Sequence, residues 1–287
     1  MVSSLRAWAA GLAALVLSVP LSVSAETLLE RGTYLMQGIV ACGNCHTPQG
    51  PDGPLPGMEL AGGLELPEPG VFVAVAPNIT FDKETGIGSW TDEQVVSAIR
   101  EGRRPDGTTI GPPMPIGQYR GMSDRDALAI VAYMRSLPPV NNKVKPSVYM
   151  MPLPSAYGAP VESVPEVPRE DKLAYGAYLA SALGHCMECH TPLNSKGMFD
   201  YENRAFGGGF ALHGPWGTSV SANITPHEDG IADYSDDDIK KAITTGMRPD
   251  GSPLMPPMAY AYYRNIADED LDALVAYLRS LKPVATE

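Results

Sequence analysis

Two short stretches of this chain have residue types and spacing that could do chemistry: Cys42-Gly43-Asn44-Cys45-His46 and Cys186-Met187-Glu188-Cys189-His190. Each reads C-x-x-C-H, the pattern in which two thiols bond to the vinyl groups of a haem while the adjacent imidazole reaches the iron. A zinc half-site or a dithiol redox pair also uses C-x-x-C, but neither calls for a histidine directly after the second cysteine, twice. The two motifs use all four cysteines, leaving none for a disulfide or a cysteine nucleophile. The cofactors expected are therefore two covalently bound haem c groups.

An iron held on one face by His46 or His190 needs a soft or imidazole donor on the other, carried by a loop that crosses the opposite haem face. Of the thirteen methionines, only Met114 and Met258 recur in the same register, each 68 positions after its motif histidine. Their flanking prolines stiffen the loop and lower the cost of holding a thioether on a metal. Met255 faces Gly111 in the other half and Met122 faces Ile266, so neither repeats. The register favours Met114 and Met258 over other donors. His185, His213 and His227 have no histidine counterparts and read as surface or haem-edge residues.

The elements that must position these groups come in two copies. A shift of 144 positions superimposes Gly32 on Gly176, Tyr34 on Tyr178, Cys42 on Cys186, Gly86-Ile87 on Gly230-Ile231, Arg104-Pro105-Asp106-Gly107 on Arg248-Pro249-Asp250-Gly251, and Tyr119-Arg120 on Tyr263-Arg264. The chain is a tandem duplication, expected to form one domain over residues 26–137 and a second over 169–287. Between them, residues 138–168 hold eight prolines and exclude a continuous helix; apolar residues such as Tyr149 and Leu153 argue for an extended strap lying against one or both domains.

Within each half, helical periodicity marks Thr27 to Ile39 and Asp171 to Leu183, a helix after the Thr91 capping box with its twin after Ser235, and a final stripe of Ala127, Ile130, Val131, Met134 and Leu137 matched by Leu271, Leu274, Val275, Leu278 and Leu281. The Gly- and Pro-rich stretches Thr47 to Asn78 and Thr191 to Asn223 read as loop, so the fold class expected is all-α. Asn78-Ile79-Thr80 and Asn223-Ile224-Thr225 match a glycosylation sequon, but their repetition points to a loop folded against the haem edge. Trp90 and Tyr234, Tyr119 and Tyr263, and Arg104 and Arg248 are either haem propionate partners or packing and turn residues.

Residues 1–25 carry Arg6, an apolar run from Ala7 to about Val19, and the small-x-small pattern Val23-Ser24-Ala25. That is a secretory signal peptide and implies a periplasmic protein with no membrane span after cleavage. The net charge of −12 becomes one unit more negative when Arg6 is lost. Such a chain suits neither nucleic acid nor an anionic membrane surface, and suits a basic patch on a partner protein.

The order G-x-Y-L, C-x-x-C-H-T-P, N-I-T, G-I-G-x-W, R-P-D-G, P-P-M and A-Y-x-R-S-L resembles class I cytochrome c domains, specifically those of the cytochrome c subunits of membrane-associated alcohol and aldehyde dehydrogenases. The resemblance covers nearly all of the chain after Ala25, once per half. It implies His46 and Met114 on one iron and His190 and Met258 on the other. Alcohol dehydrogenase subunits of this kind have three such domains; here there are two and no evident C-terminal membrane segment. The function expected is that of a dihaem electron carrier or detachable electron-transfer subunit rather than an enzyme. A periplasmic dehydrogenase would donate electrons, and an oxidase or another cytochrome would accept them. The alternative is a haem enzyme, either a dihaem peroxidase or a thiosulfate-oxidising cytochrome. A peroxidase needs an iron that can open, and the matched methionines argue against one. A thiosulfate oxidase that uses a distal cysteine has none to use here.

Overall fold

The computed structural model describes residues 25–51 and 53–286; the expected signal peptide, except for Ala25, lies outside the described residues. The first half opens on α1 (Leu28–Gln37), started by a capping box in which the Thr27 hydroxyl accepts from the Glu30 N–H and the Glu30 carboxylate accepts from the Thr27 N–H. There follow the single-turn α2 (Gly43–His46), the hairpin of β1 (Gln49–Gly50) and β2 (Gly53–Pro54), and the hairpin of β3 (Glu65–Glu68) and β4 (Phe72–Val75). Helices α3 (Asp92–Glu101), α4 (Ile116–Tyr119) and α5 (Asp124–Ser136) complete the half, and the strap then contributes β5 (Val148–Tyr149). The second half repeats this order with α6 (Lys172–Tyr178) running into a π-helical turn over Leu179–Leu183, then α7 (Cys186–Cys189), β6 (Ala211–Gly214), β7 (Gly217–Val220), α8 (Asp236–Thr245), α9 (Tyr260–Tyr263) and α10 (Asp268–Ser280).

The expected all-α fold of two tandem class I cytochrome c domains needs correction. Helices take up only 32% of the residues, and small antiparallel sheets occupy the stretches read as loop. Val71-Phe72-Val73-Ala74-Val75, aromatic and β-branched except for Ala74, directly follows the turn pair Pro69-Gly70, which is a hairpin signal that the surrounding glycines and prolines obscure. The halves also do not bury separate cores. One continuous cluster joins Leu35, Met36 and Ile130 of the first half to Leu179, Leu183 and Leu274 of the second, and only a smaller cluster of Ile231, Ile239, Val275 and Leu278 belongs to the second half alone.

Two reciprocal contacts hold the halves together. The Tyr34 hydroxyl donates to Asp270 at 2.7 Å and accepts from the Ala267 N–H at 3.1 Å; at the repeat-related positions, the Tyr178 hydroxyl donates to Asp126 at 2.7 Å and accepts from the Ser123 N–H at 3.1 Å. The duplicated sequence thus makes a self-complementary interface, residue for residue, about an internal pseudo-two-fold axis. Asp126 is also gripped by two guanidinium nitrogens of Arg31, at 2.7 and 3.0 Å, with both side chains buried.

Inside each half the first and last helices cross at a glycine. A Cβ on Gly32 would collide with the Ala129 carbonyl, and one on Gly176 with the Ala273 carbonyl, so only glycine permits these approaches. The strap lies along the first half. Its β5 pairs antiparallel with β4, the Tyr149 hydroxyl donates to the Pro112 carbonyl at 2.9 Å, and the Tyr157 hydroxyl donates to the Ile110 carbonyl at 2.8 Å. Further along, the Val161 N–H donates to Glu101, and the Ser163 hydroxyl and Val164 N–H both donate to Asp124. No helix among the described residues is long and apolar enough to cross a membrane.

Candidate functional site

The motif residues sit on α2 and α7, single turns that follow a left-handed residue, Ala41 (φ 48°) in one half and His185 (φ 40°) in the other. That kink turns the chain out of the preceding helix and brings both cysteines and the histidine onto a wall. His46 directs its Nδ1 at the Pro77 carbonyl, 2.9 Å away, and His190 directs its Nδ1 at the Ala222 carbonyl, 2.7 Å away. A carbonyl has no proton to give, so each imidazole must carry its proton on Nδ1, which leaves the Nε2 lone pair free for a metal. Burial lowers both imidazole pKa values, against the opposing pull of those carbonyls, and so keeps the rings neutral.

The carbonyls are themselves held in place. Asn78 accepts from the N–H and hydroxyl of Thr80 and donates to the Val140 carbonyl; Asn223 does the same with Thr225 and Val284. Both asparagines are buried, so the N-I-T sequences are structural ties, each directly after the carbonyl that orients a motif histidine. Thr47 and Thr191, next along the chain from those histidines, are buried too, and their hydroxyls accept from the N–H groups of Leu60 and Phe206.

Burial pushes the thiols of Cys42 up to about 12 and of Cys45 and Cys186 to about 11, and raises Cys189 as well. Free thiolate nucleophiles need the opposite environment. Among the described residues no three His, Cys, Asp or Glu side chains converge on a point that could hold a metal ion.

In the second half these groups face a cavity of about 490 Å³. Cys186, Cys189 and His190 line it together with Met258 and with apolar side chains such as Ile224, Ile239, Leu274 and Leu278. Its size and apolar lining fit a flat, mostly hydrocarbon cofactor carrying a few polar groups, so the residues present suit a haem. The structure also brings Met255 to the cavity, but that side chain is 48% exposed whereas Met258 is partly buried against the core. Met114, its counterpart, likewise packs partly buried against the core at the start of α4. Of the residues weighed as propionate partners, Tyr234, Tyr263 and Arg248 line the cavity. Arg104 and Arg248 are spent on their own turns, donating to the Thr109 and Pro253 carbonyls.

The first motif lies against the second half: the Asn44 side-chain amide donates to the Pro257 carbonyl at 2.9 Å, and Gly43 lies beside the Tyr262 hydroxyl. Burial raises the hydroxyls of Tyr119 and Tyr263. Sequence reasoning undervalued His185, which lines the cavity and meets the Tyr119 ring edge-on at 5.7 Å. Its only sequence signal was its position directly before Cys186. His213 lies not in a loop but on β6, its ring beside the Thr218 hydroxyl, while His227 is a loop residue next to Asp229.

Comparison with known proteins gives the same picture. The Cytochrome c family model matches residues 173–282. A gluconate 2-dehydrogenase cytochrome c subunit from Pantoea cypripedii is 30% identical over 279 residues, covering 89% of this chain and 60% of that protein. The cytochrome c subunit of a quinone-type alcohol dehydrogenase from Gluconobacter oxydans (strain 621H) is 32% identical over 275 residues, covering 90% of this chain and 56% of that protein. A diheme c-type cytochrome from Cereibacter sphaeroides is 31% identical over 257 residues, 85% of this chain and 82% of that protein. The chain thus spans a little over half the length of the dehydrogenase subunits and most of the diheme protein.

Proposed function

The chain belongs to the cytochrome c family, and from that premise we propose that it is a periplasmic dihaem electron-transfer protein. It would take electrons from a dehydrogenase and pass them to an oxidase or another cytochrome, either as a free carrier or as the dehydrogenase's electron-transfer subunit. The observation that carries this reading is the cavity that joins Cys186, Cys189 and His190 to Met258, together with the repetition of all four residues as Cys42, Cys45, His46 and Met114.

A haem bound there would supply a one-electron iron couple, and His46 with Met114 and His190 with Met258 would hold it closed to oxygen, peroxide or substrate. The protein's own part is to hold and to insulate. The paired cysteines fix the cofactor covalently, and the Pro77 and Ala222 carbonyls fix the tautomer and orientation of His46 and His190. Met114 and Met258 offer thioethers, soft donors that favour the reduced metal and raise its potential. Apolar walls keep water from the site, which also favours the less charged state. The hydrogen bond from Asn44 in the first motif to the Pro257 carbonyl, next to Met258, supports exchange between two centres within one molecule.

Met114→Ala and Met258→Ala test the reading. Each should abolish the thioether-to-iron charge-transfer signature of one haem, lower that haem's potential and let added imidazole bind its iron. Spectra and potentials unchanged in either variant would overturn the ligand assignment.

A further inference from the structure

The two halves hold their methionine segments in different ways. In the second half, contacts with the first half bracket Met258. Directly before it, the Pro257 carbonyl accepts from the Asn44 side-chain amide at 2.9 Å. A carbonyl oxygen only accepts, so this contact fixes the amide with its NH2 group toward Pro257. Directly after it, α9 lies so close to α2 that a Cβ on Gly43 would collide with the Tyr262 hydroxyl. Beyond α9, the Asn265 side-chain amide donates at 2.8 Å to the carbonyl of Gln37, the last residue of α1.

The internal repeat shows that these ties belong to one half alone. Glu188 stands where Asn44 stands, Met187 where Gly43 stands, and Gly121 where Asn265 stands. Gly121 has no side chain to donate, and Met187 carries the side chain that Gly43 must lack. Among the described residues, no side chain donates to the carbonyl of Pro113, the counterpart of Pro257. The segment that carries Met114 is tied one residue further upstream and by a different element, since the Tyr149 hydroxyl of the strap donates to the Pro112 carbonyl at 2.9 Å.

Asn44 lies between Cys42 and Cys45 on a single helical turn, the part of the first half that covalent attachment at both thiols would pin. The segment that carries Met258 is thus anchored to the attachment turn of the opposite half. A thioether offered from a loop stays on a metal only as long as the loop stays in place, and the groups that hold the loop set how often it opens. We propose that Asn44 is a positioning residue for Met258, so that the first attachment motif keeps the second site closed. The inference rests on Met258 as an iron ligand and goes beyond it, because it makes one half's motif responsible for the other half's metal site.

The test uses the haem-loaded protein with Met114→Ala as background, in which the one remaining thioether-to-iron charge-transfer band belongs to Met258. Asn44→Leu, added to that background, keeps the C-x-x-C-H pattern, removes the donor and introduces no charge. Net loss of one neutral hydrogen bond should raise the affinity of added imidazole for the second iron about three- to tenfold, weaken the remaining band and lower that haem's potential. Asn44→Ala, which leaves a gap in place of an apolar side chain, should do the same. Tyr34→Phe loosens the contact between the halves away from Asn44 and should leave band, potential and imidazole affinity as in the background. If both Asn44 variants match the background in all three measurements, the proposal is overturned and Met258 remains the ligand. An equal loss in Tyr34→Phe would also overturn it, by assigning the effect to the interface as a whole. If Met114→Ala leaves both bands in place, the ligand assignment falls and the proposal falls with it.

Discussion

Replacing Tyr34 or Tyr178 by phenylalanine tests whether the two halves form one cooperative unit. Each hydroxyl makes one charge-assisted hydrogen bond of 2.7 Å to a carboxylate on the opposite half and accepts one backbone N–H. Hydrogen bonds to charged groups contribute about 1.5–3 kcal/mol, and a backbone donor left unpaired adds to the loss, so each substitution should cost about 2–4 kcal/mol. The costs should differ. After Tyr178→Phe, Asp126 keeps both Arg31 contacts, whereas after Tyr34→Phe the 2% exposed Asp270 keeps, among the described residues, only the Tyr175 hydroxyl at 3.2 Å. Tyr34→Phe therefore belongs at the upper end of the range and Tyr178→Phe at the lower. The two sites are linked, because Arg31, which holds Asp126, lies over the Tyr34 ring and Tyr175, which holds Asp270, packs on the Tyr178 ring, so the double variant should depart from additivity by about 0.5 kcal/mol or more. Urea unfolding of the haem-loaded protein, followed by far-ultraviolet circular dichroism and by the haem absorbance, gives the numbers. Loss below about 0.5 kcal/mol in both variants would refute the energetic argument. A curve that splits into two separate transitions would refute the shared core.

Gly176→Ala should cost about 1–3 kcal/mol or more, because its Cβ meets the Ala273 carbonyl in a packed helix crossing; Gly117→Ala, where that space is open, should be neutral or mildly stabilising. The strap should loosen in acid. The Ser163 hydroxyl and the Arg100 guanidinium hold the Asp124 carboxyl below its usual range, and the Val161 N–H does the same for Glu101. Groups depressed in the folded state contribute fully above their unfolded values and lose that contribution as pH falls through the folded ones. Proteolysis within residues 138–168 should therefore be slow at neutral pH and accelerate below about pH 4, with D124N and E101Q together showing the acid behaviour at neutral pH. Cleavage rates independent of pH in the native protein would count against the two carboxylates as the strap's anchors.

Much of this was legible in the sequence because the chain says it twice. The capping boxes at Thr91 and Ser235, the crossing glycines and the motif histidines all fall where the repeat places them. The hairpins were not legible, because glycine and proline mark turns inside a sheet as readily as they mark loops, and four-residue strands give the alternation too little length to register. The joining of the halves was hidden for a different reason. Tyr34 and Asp126 each look like ordinary helix residues, and their meaning emerges only when each is paired with the other half's copy of its partner. The sequons were read as folded loop because they repeat, and the buried asparagines show why the pattern is ambiguous: an asparagine that braces a turn uses the same N-x-T sequence as a surface acceptor.

Departures from the repeat carry the rest of the information. A duplicated chain with a two-fold internal interface should present two equivalent faces, yet residues 110–111 rely on strap side chains where residues 254–255 rely on Met255 and Tyr260. The strap passes from the end of the first half to the start of the second, and its route over β4 covers that edge. Substitution of Gly111 by methionine would fill the strap's seat, and Met255 at the matching position makes the second face independent of a strap. Among the described residues, the difference between the two faces therefore lies in how each fills the space beside positions 111 and 255.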